Sequence, residues 1–409
     1  MIWCDVPEEV LLEEIFSWLP PESLFRFKCV SKSWYALINS LIKNPEFVNK
    51  HLRNIENNIL SPYTCLVFCC ATTAYTRRRR RQPPPPQQRK PLRRRDLLRS
   101  LTLFHNRGGY GSDDPNYVSE VFRLPTLPSK LNFARASGSH INGIICLAHD
   151  ETIVLCNPAL NEWTPLPKPC LDDGNGGGFW VRRVGFGYDS RADDYKVVRL
   201  GYEGFGRNEI EYYRARAEVY SMRRDCWREV EFDGLELVCR PLIGKEVFCK
   251  GVFYWSICAR ENIILSFDVF DEVFRWIPLP NNLLVTEEEV KLTVWNDSVA
   301  LFVYHAIEIP KLIQVWLMDD CSAGGVNDSR SWIKKLCIGP LLDIDEPLTF
   351  LKNDELLLKT KDEGLILFNV CSQMLRNLTI IRSLNTILFW EISYVKSLVS
   401  VAVGTQSRS

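Results

Sequence analysis

Five histidines, at positions 51, 105, 140, 149 and 305, are the first residues to weigh, because imidazole is the commonest general base and metal ligand near neutral pH. They stand far apart, with no H-x-x-x-H or H-E-x-x-H spacing to bring two onto one helical face. The stretch GNGGGF at 174–179 has the glycine content of a phosphate loop. No Gly-Lys-Ser/Thr follows it and no helix is legible behind it, so it reads as a flexible connection. The acid pairs Asp172–Asp173, Asp193–Asp194 and Asp319–Asp320 sit among turn residues, where aspartate serves the backbone. Fifteen cysteines lie in apolar runs such as CLVFCC and EVFCK without paired C-x-x-C spacing, and are expected as buried, reduced thiols. These residues assemble no catalytic set. The expectation is a non-enzymatic chain with no cofactor and no metal.

The elements that would carry other work come next. The chain has 409 residues, 46% hydrophobic and 24% charged, which suits two or three domains with real cores. The first residues hold no basic segment followed by an apolar one, and no apolar run approaches the ~20 residues of a membrane span. A cytoplasmic location and no membrane partner are expected. Net charge is zero, yet residues 77–95 hold nine Arg and one Lys with no acid. The rest of the chain is therefore acidic. That tract, RRRRRQPPPPQQRKPLRRR, cannot bury a core and reads as a disordered insertion at 76–96 between two strand-like runs. Nuclear import or nonspecific nucleic-acid contact are its functional readings.

The densest apolar signal opens the chain, in VPEEVLLEEIFSWLPPESLFRFKCVSKSW from Val6. Leu11, Ile15 and Leu19 recur at helical spacing, with Leu12 and Phe16 beside them. Pro20 and Pro21 stop that helix. Leu24, Phe27 and Val30 mark a second, and Ser31 caps a third that presents Trp34, Ile38 and Leu41 before Asn44 and Pro45 end it. Helices of about ten residues are unstable alone in water, and a unit of roughly forty residues is marginal. The apolar positions outnumber what three short helices can bury among themselves. Their expected cover is a second protein.

Beyond residue 130 the pattern changes to short apolar runs separated by turns, an all-β signal. IVLCNPALNEWTPLP is echoed by AEVYSMRRDCWREVE, ILSFDVFDEVFRWIPLP and LILFNVCSQMLRNLTI, and with an insertion by IQVWLMDDCSAGGVNDSRSWIKKL. Each unit is a strand, a turn rich in Asn, Asp or Ser, then Trp163, Trp227, Trp276, Trp332 or the equivalent Leu375 opening another strand. The spacing is close to that of kelch-like four-stranded blades, roughly 50 residues. A weaker first unit spans 63–128. The expectation is an all-β, kelch-like β-propeller of about six blades, closed by YVKSLVSVAV near Tyr394–Val401, with the repeated tryptophan packing between blades.

The opening stretch resembles an F-box, through Pro7, the Leu-Pro at 19–20 and the closing Val-Ser-Lys-Ser-Trp. Val6 stands where that family usually has Leu, and Trp18 where it often has Arg. The resemblance implies a Skp-type adaptor as partner and, through it, a cullin ubiquitin ligase. It places Val6, Pro7, Leu11, Ile15, Leu19, Pro20, Leu24, Cys29, Val30 and Trp34 on the adaptor-facing surface or directly beneath it. Residues 130–400 resemble the plant F-box-associated domain of the first type, on VLCNPALNEWTPLP, GFGYDSRADDYKVVRL, AEVYS, ILSFDV, PLTFLKNDELLL and YVKSLVSV. Those phrases look most like the S-locus F-box proteins of the rose family, which recruit basic pistil ribonucleases, the S-RNases, for ubiquitination. The Arg/Pro tract is not part of that pattern. The implied organisation is a three-helix F-box at 1–47, a linker at 48–62 that opens with a helical tail, and a propeller at 63–405.

A substrate receptor needs presenting loops with little structural duty. The best candidates are 169–180, with Asp172, Asp173, Phe179 and Trp180, and 203–214, with Glu209, Glu211, Tyr212 and Tyr213. Acids beside aromatics suit a basic partner with apolar spots. Two other readings remain open at this point: a propeller enzyme with a helical cap, and a nucleic-acid binder using residues 77–95.

Overall fold

The computed structural model describes residues 15–57, 64–73, 97–106, 117–122, 135–136, 140–149, 152–171, 179–205, 212–232, 246–257, 263–280, 283, 288–319, 331–351, 354–362, 364–378 and 386–401. The Arg/Pro tract lies outside them, as do Val6, Pro7 and Leu11.

The described chain begins with a single 3-10 turn, Phe16–Trp18, followed by three helices: α1 (Pro21–Phe27), α2 (Lys32–Leu41) and α3 (Pro45–Asn57). Pro21 occupies the first turn of α1, where its missing N–H is not needed. Ser31 caps α2 as its sequence suggests, its Oγ accepting the Trp34 amide at 3.2 Å. Residues 48–57, read as a helical tail running into a linker, are helical and continue α3. Its buried Leu52 and Ile55, with buried Phe47 and His51, form a face that has to be covered.

All the remaining described elements are antiparallel strands. Five complete blades each take four consecutive strands: β4–β7, β8–β11, β12–β15, β16–β19 and β20–β23. Their bounds are β4 Arg135–Ala136, β5 Ile145–His149, β6 Thr152–Asn157, β7 Glu162–Pro165; β8 Phe179–Asp189, β9 Asp194–Phe205, β10 Tyr212–Ser221, β11 Cys226–Val230; β12 Val247–Cys249, β13 Val252–Ile257, β14 Ile263–Asp268, β15 Phe274–Pro278; β16 Glu288–Trp295, β17 Ser298–His305, β18 Lys311–Met318, β19 Trp332–Leu341; and β20 Ile344–Phe350, β21 Glu355–Thr360, β22 Leu365–Asn369, β23 Leu375–Leu378. A further, composite sheet pairs β1 (Thr64–Thr73), β2 (Leu97–Asn106) and β3 (Tyr117–Phe122) with the last strand, β24 (Thr386–Val395), in the order β24-β1-β2-β3.

The phrase repeat predicts about six blades, with a strand from near the end of the chain closing the ring; five blades of consecutive strands are found. The stretch read as a weak first unit supplies only three strands, and the end of the chain supplies the fourth. Antiparallel pairing needs no nearness in sequence, and sharing a sheet this way covers an edge that would otherwise recruit other chains. The closing strand is also earlier than expected. It ends at Val395, and residues 396–401 run on as an ordered segment without strand pairing.

Burial explains why the phrases repeat. Inner strands are covered on both faces and read as unbroken apolar runs, as in β14, β6 and the buried centre of β17. Outer strands alternate, as in β7 and β15. Between the third and fourth strand of a blade the chain turns on a capping side chain. Asn157, Ser221, Asp268 and Asn369 accept amides of the following residues at 2.8–3.1 Å. The fourth residue on from each cap, Asn161, Asp225, Glu272 or Gln373, has positive φ.

The tryptophans then tie blade to blade, as expected. Trp227 Nε1 donates to the Pro167 carbonyl beyond β7, and Trp332 Nε1 to the Pro278 carbonyl of β15, both at 2.9 Å. Trp276 packs against Phe232. Trp163 and Leu375 are exposed exceptions. Gly185 and Gly187 of β8 lie against Phe248, Phe253 and Trp255 of the next blade, where a Cβ would come within 3 Å of the rings. The GFG of β8 is thus a flat seat for aromatics.

Candidate functional site

The helical module is held from inside by Phe16, Leu24, Ile38, Leu41 and Phe47, all buried. Trp34 packs edge-on against Phe16 and Phe27, with ring centroids 5.4 and 5.3 Å away. Helix α3 hooks over the 3-10 turn. His51 Nε2 donates to the Leu19 carbonyl at 2.8 Å, and Asn54 Nδ2 donates to Ser17 Oγ at 3.0 Å. Burial depresses the His51 pKa below its ordinary 6.5, against the pull of that hydrogen bond.

This core separates the residues expected at the adaptor surface. Leu24 is buried inside the module and acts by support, and Trp34 is half-buried in the aromatic cluster. Leu19 and Pro20 are half-buried, while Ile15, Cys29 and Val30 reach solvent, Val30 at 63% exposure. Trp18 and Tyr35 are exposed as well and were not among the expected contacts. Their signal was weak: Trp18 departs from the family pattern, and Tyr35 follows the better-marked Trp34.

One edge of the module is occupied by this chain itself. Leu398, beyond β24, inserts into the helical core, and Leu160 of the β6–β7 turn packs beside it. The Lys396 ammonium pairs with the Glu22 carboxylate of α1. The same C-terminal segment is bonded to the first complete blade. Asn157 Nδ2 donates to the carbonyls of Ser397 (3.1 Å) and Val399 (2.7 Å), while its Oδ1 accepts the Tyr394 hydroxyl at 3.0 Å. Ser400 Oγ donates to Glu162 at 2.6 Å, and Thr164 Oγ1 donates to the Val401 carbonyl at 3.1 Å.

Because neighbouring strands run in opposite directions, each blade puts its first-to-second and third-to-fourth turns at one end and its second-to-third turn at the other. Contacts between blades gather the first kind on one face. Asn142 donates to the Tyr195 hydroxyl at 2.8 Å, Arg191 meets Asp271 at 3.3 Å, and Trp295 Nε1 donates to Asp354 at 2.8 Å. Leu160 and Asn157 belong to this face, so it carries the helical module. The opposite, distal face holds the second-to-third connections.

The expected substrate segments meet at one distal blade end. Phe179 and Trp180 open β8, Tyr212 and Tyr213 open β10, and both strands flank the end of β9. Phe179 pairs with Glu203 and Trp180 with Tyr202; on the other side Tyr212 pairs with Phe205 and Tyr213 with Gly204. These positions, expected as free loop, are strand backbone, because aromatic and β-branched residues there extend the ladder. Asp172, Asp173, Glu209 and Glu211 lie outside the described residues.

Sequence reasoning missed what anchors this end. Arg199 and Glu218 form a fully buried ion pair at 2.6 Å, and the other Glu218 oxygen accepts the Cys170 and Leu171 amides at 2.9 and 3.1 Å. Burial raises the Glu218 pKa despite Arg199 and these amides. The chain entering residues 172–178 is thereby pinned to the blade.

The remaining chemistry-bearing groups are structural. Asp189 takes the Lys196 ammonium at 2.7 Å, and Asp194 accepts Ser221 Oγ at 2.6 Å, so the acids around Asp193 shape a turn. The cysteines correct the sequence expectation. Cys146, Cys156 and Cys249 are buried, with Cys156 pushed up to about 12 by desolvation, but Cys29, Cys170, Cys226, Cys337 and Cys371 are exposed. Their local strands are outer ones or turns, where a short side chain is tolerated without burial. Among the described residues no group of His, Cys, Asp and Glu could hold a metal, and no helix is long and apolar enough to cross a membrane.

Helical module, blades and joining segment together define an F-box protein with a β-propeller. The F-box domain matches residues 3–45, and the F-box associated beta propeller domain matches residues 115–401. The chain belongs to this family. It is 27% identical over 279 residues to the Arabidopsis thaliana F-box protein At3g10430, covering 65% of this chain and 60% of that one. With the Arabidopsis F-box/kelch-repeat protein At3g23880 it shares 25% identity over 371 residues, covering 88% and 87%. Among solved structures, YjhT is similar with a TM-score of 0.39 at 11% identity, over 62% of this chain and 85% of that one.

Proposed function

We propose that this chain is the substrate-recognition subunit of a Skp–cullin–F-box ubiquitin ligase, with no active site of its own. The observation that carries the reading is the division of the helical module. Leu398 and the Glu22–Lys396 pair attach it to the propeller, while Ile15, Trp18, Val30 and Tyr35 stay uncovered. Large apolar side chains left on so small a module suit a permanent protein partner. A Skp-type adaptor fills that role, and the propeller's distal face is then free to hold a target. The test is co-expression with a plant Skp-type adaptor and cullin. A stable complex is expected with the whole chain, and none when residues 1–57 are deleted; a chain that purifies alone beside excess adaptor overturns the reading.

The finer target reading is an S-RNase. Its support is the resemblance of the repeated phrases and the acidic balance of the chain outside residues 77–95, which would steer a basic ribonuclease. Binding of the purified receptor to a panel of S-RNases, repeated with Trp180→Ala and Tyr212→Ala, tests it. No binding to any member would leave the receptor with another class of substrate.

A further inference from the structure

The β17–β18 connection, His305–Pro310, is ordered by an unusual staple. Lys311 is almost fully buried, and its ammonium donates to the carbonyls of His305 and Ala306 at 2.8 and 2.7 Å. It also lies 5.5 Å from the centre of the Tyr304 ring. A buried lysine is costly unless it is hydrogen-bonded. Here its bonds fix a loop whose apolar side chains point to water. Ile307 is 91% exposed and Ile309 59%.

The patch extends onto the next connection. Lys311 pairs with Leu341, and Gly339 is so close that a Cβ on it would lie 2.5 Å from the Lys311 carbonyl. Leu342 (68%) and Leu312 (42%) are exposed there, as is Pro340. Isolated exposed leucines need no explanation, but a contiguous set held by a buried cation does. Its rim is acidic. Glu289, Glu308 and Asp343 are exposed, and none is in an ion pair among the described residues. Nearby Asp345 and Glu346 are matched by Lys359 and Lys291, which leaves Lys361 as the exposed base of the rim.

We infer that this distal patch, centred on Ile307, Ile309, Leu312 and Leu342, docks a segment of a partner protein that combines aliphatic side chains with flanking Lys or Arg. The aliphatics cover the isoleucines and leucines, and the bases meet Glu289, Glu308 and Asp343. A loop already ordered by Lys311 loses little freedom on binding, which favours affinity. The inference deepens the receptor reading and rests on it for the role of the bound segment as part of a captured target. It also moves the emphasis from the β8–β10 end to the blade formed by β16–β19.

The experiment uses the whole chain co-purified with a recombinant Skp-type adaptor, and a synthetic peptide library pairing Leu or Ile with flanking Lys or Arg. Control peptides carry acidic flanks, or serine in place of the aliphatics. Selective retention of basic-aliphatic peptides is expected, weakened about tenfold or more by Ile309→Glu or Leu342→Glu, a size typical of interface hot spots. Both positions are exposed, so melting should be unchanged. Glu308→Lys should erase the preference for basic flanks while leaving the aliphatic requirement. Retention that is equal for all peptides, or unaffected by Ile309→Glu, overturns the inference. So does self-association of the wild type that the same substitution abolishes, since the occupant is then a second copy. Adaptor co-purification, read in every sample, separates the two levels: its loss with peptide binding intact sinks the receptor reading and leaves the patch standing.

Discussion

The ammonium of Lys396 pairs with the carboxylate of Glu22, joining the segment after β24 to the first described helix of the F-box. Two residues further on, Leu398 completes the F-box core. The segment after β24 therefore bridges the helical module and the propeller. Leu398→Ala should cost about 2–5 kcal/mol, as for other buried leucine truncations. Because this leucine lies between the two parts, the expected sign is a split of the single melting transition into two, seen by calorimetry. A single transition at unchanged temperature would show that the module is not coupled through this residue.

Surface and support in the F-box should separate experimentally. Val30→Asp puts a charge on an exposed position, so helical circular dichroism should stay unchanged while adaptor capture is lost. Leu24→Ala should instead destabilise the module by about 2–5 kcal/mol and weaken capture only through unfolding. The double variant Leu19→Asp with Trp34→Ala combines both effects and should abolish capture. Pull-down with recombinant adaptor, beside a melting curve for each variant, gives the answer. Full capture by Val30→Asp would move the adaptor surface elsewhere on the module.

Much of this architecture is legible in the residues. Turn caps at Asn157, Asp268 and Asn369 and tryptophans at 227 and 332 mark local duties that recur from blade to blade, and the glycines of GFG mark one in the β8–β11 blade. What escapes is long-range. Nothing local to Lys396 announces Glu22, and nothing near Arg199 announces Glu218, since each partner is set by the closed topology. Residues 48–57 are legible only as a helical tail leading into a linker, because Asn49, Lys50, Arg53 and Asn54 dilute the apolar face that His51 and Leu52 bury. The distal patch was invisible because its members sit in two separate stretches, 307–312 and 340–342, that only strand pairing brings together.

His51 gives the F-box a defined acid sensitivity. Its folded pKa lies below the ordinary 6.5, so the unfolded chain binds the proton more readily. Stability from the neutral ring is therefore fully present above about pH 6.5 and falls as the pH drops below that value toward the folded pKa. The geometry agrees: Nε2–H already donates to Leu19, and a proton on Nδ1 would be buried with no acceptor among the described residues. Melting of the wild type should fall between pH 7.5 and 5.5 by more than that of His51→Gln (values chosen to straddle the transition of about 6.5). Equal falls in the two proteins would assign the acid sensitivity to other groups.

Closure of the propeller can be tested at Asn157. One buried side chain bonds Ser397, Val399, Tyr394 and the Ala159 amide, so it joins a turn cap to the C-terminal segment. Replacement by Ala leaves several buried polar groups without partners, each costing about 1–3 kcal/mol. Asn157→Ala should therefore destabilise far more than Asn369→Ala, whose described side-chain bonds serve only the local turn. Deleting residues 396–409 removes the bonds to Ser397 and Val399 while keeping β24 and its Tyr394, and should give protein that is proteolysed rapidly near the F-box junction. Gly143 offers a steric counterpart. Its φ is +78°, and a Cβ there would stand 2.3 Å from Ser397 Oγ. Gly143→Ala should push the segment off its seat and mimic the deletion. Urea titrations of the four variants, with proteolysis followed in parallel, would decide; a Gly143→Ala protein as stable as the wild type would mean that the C-terminal segment is not clamped at this turn.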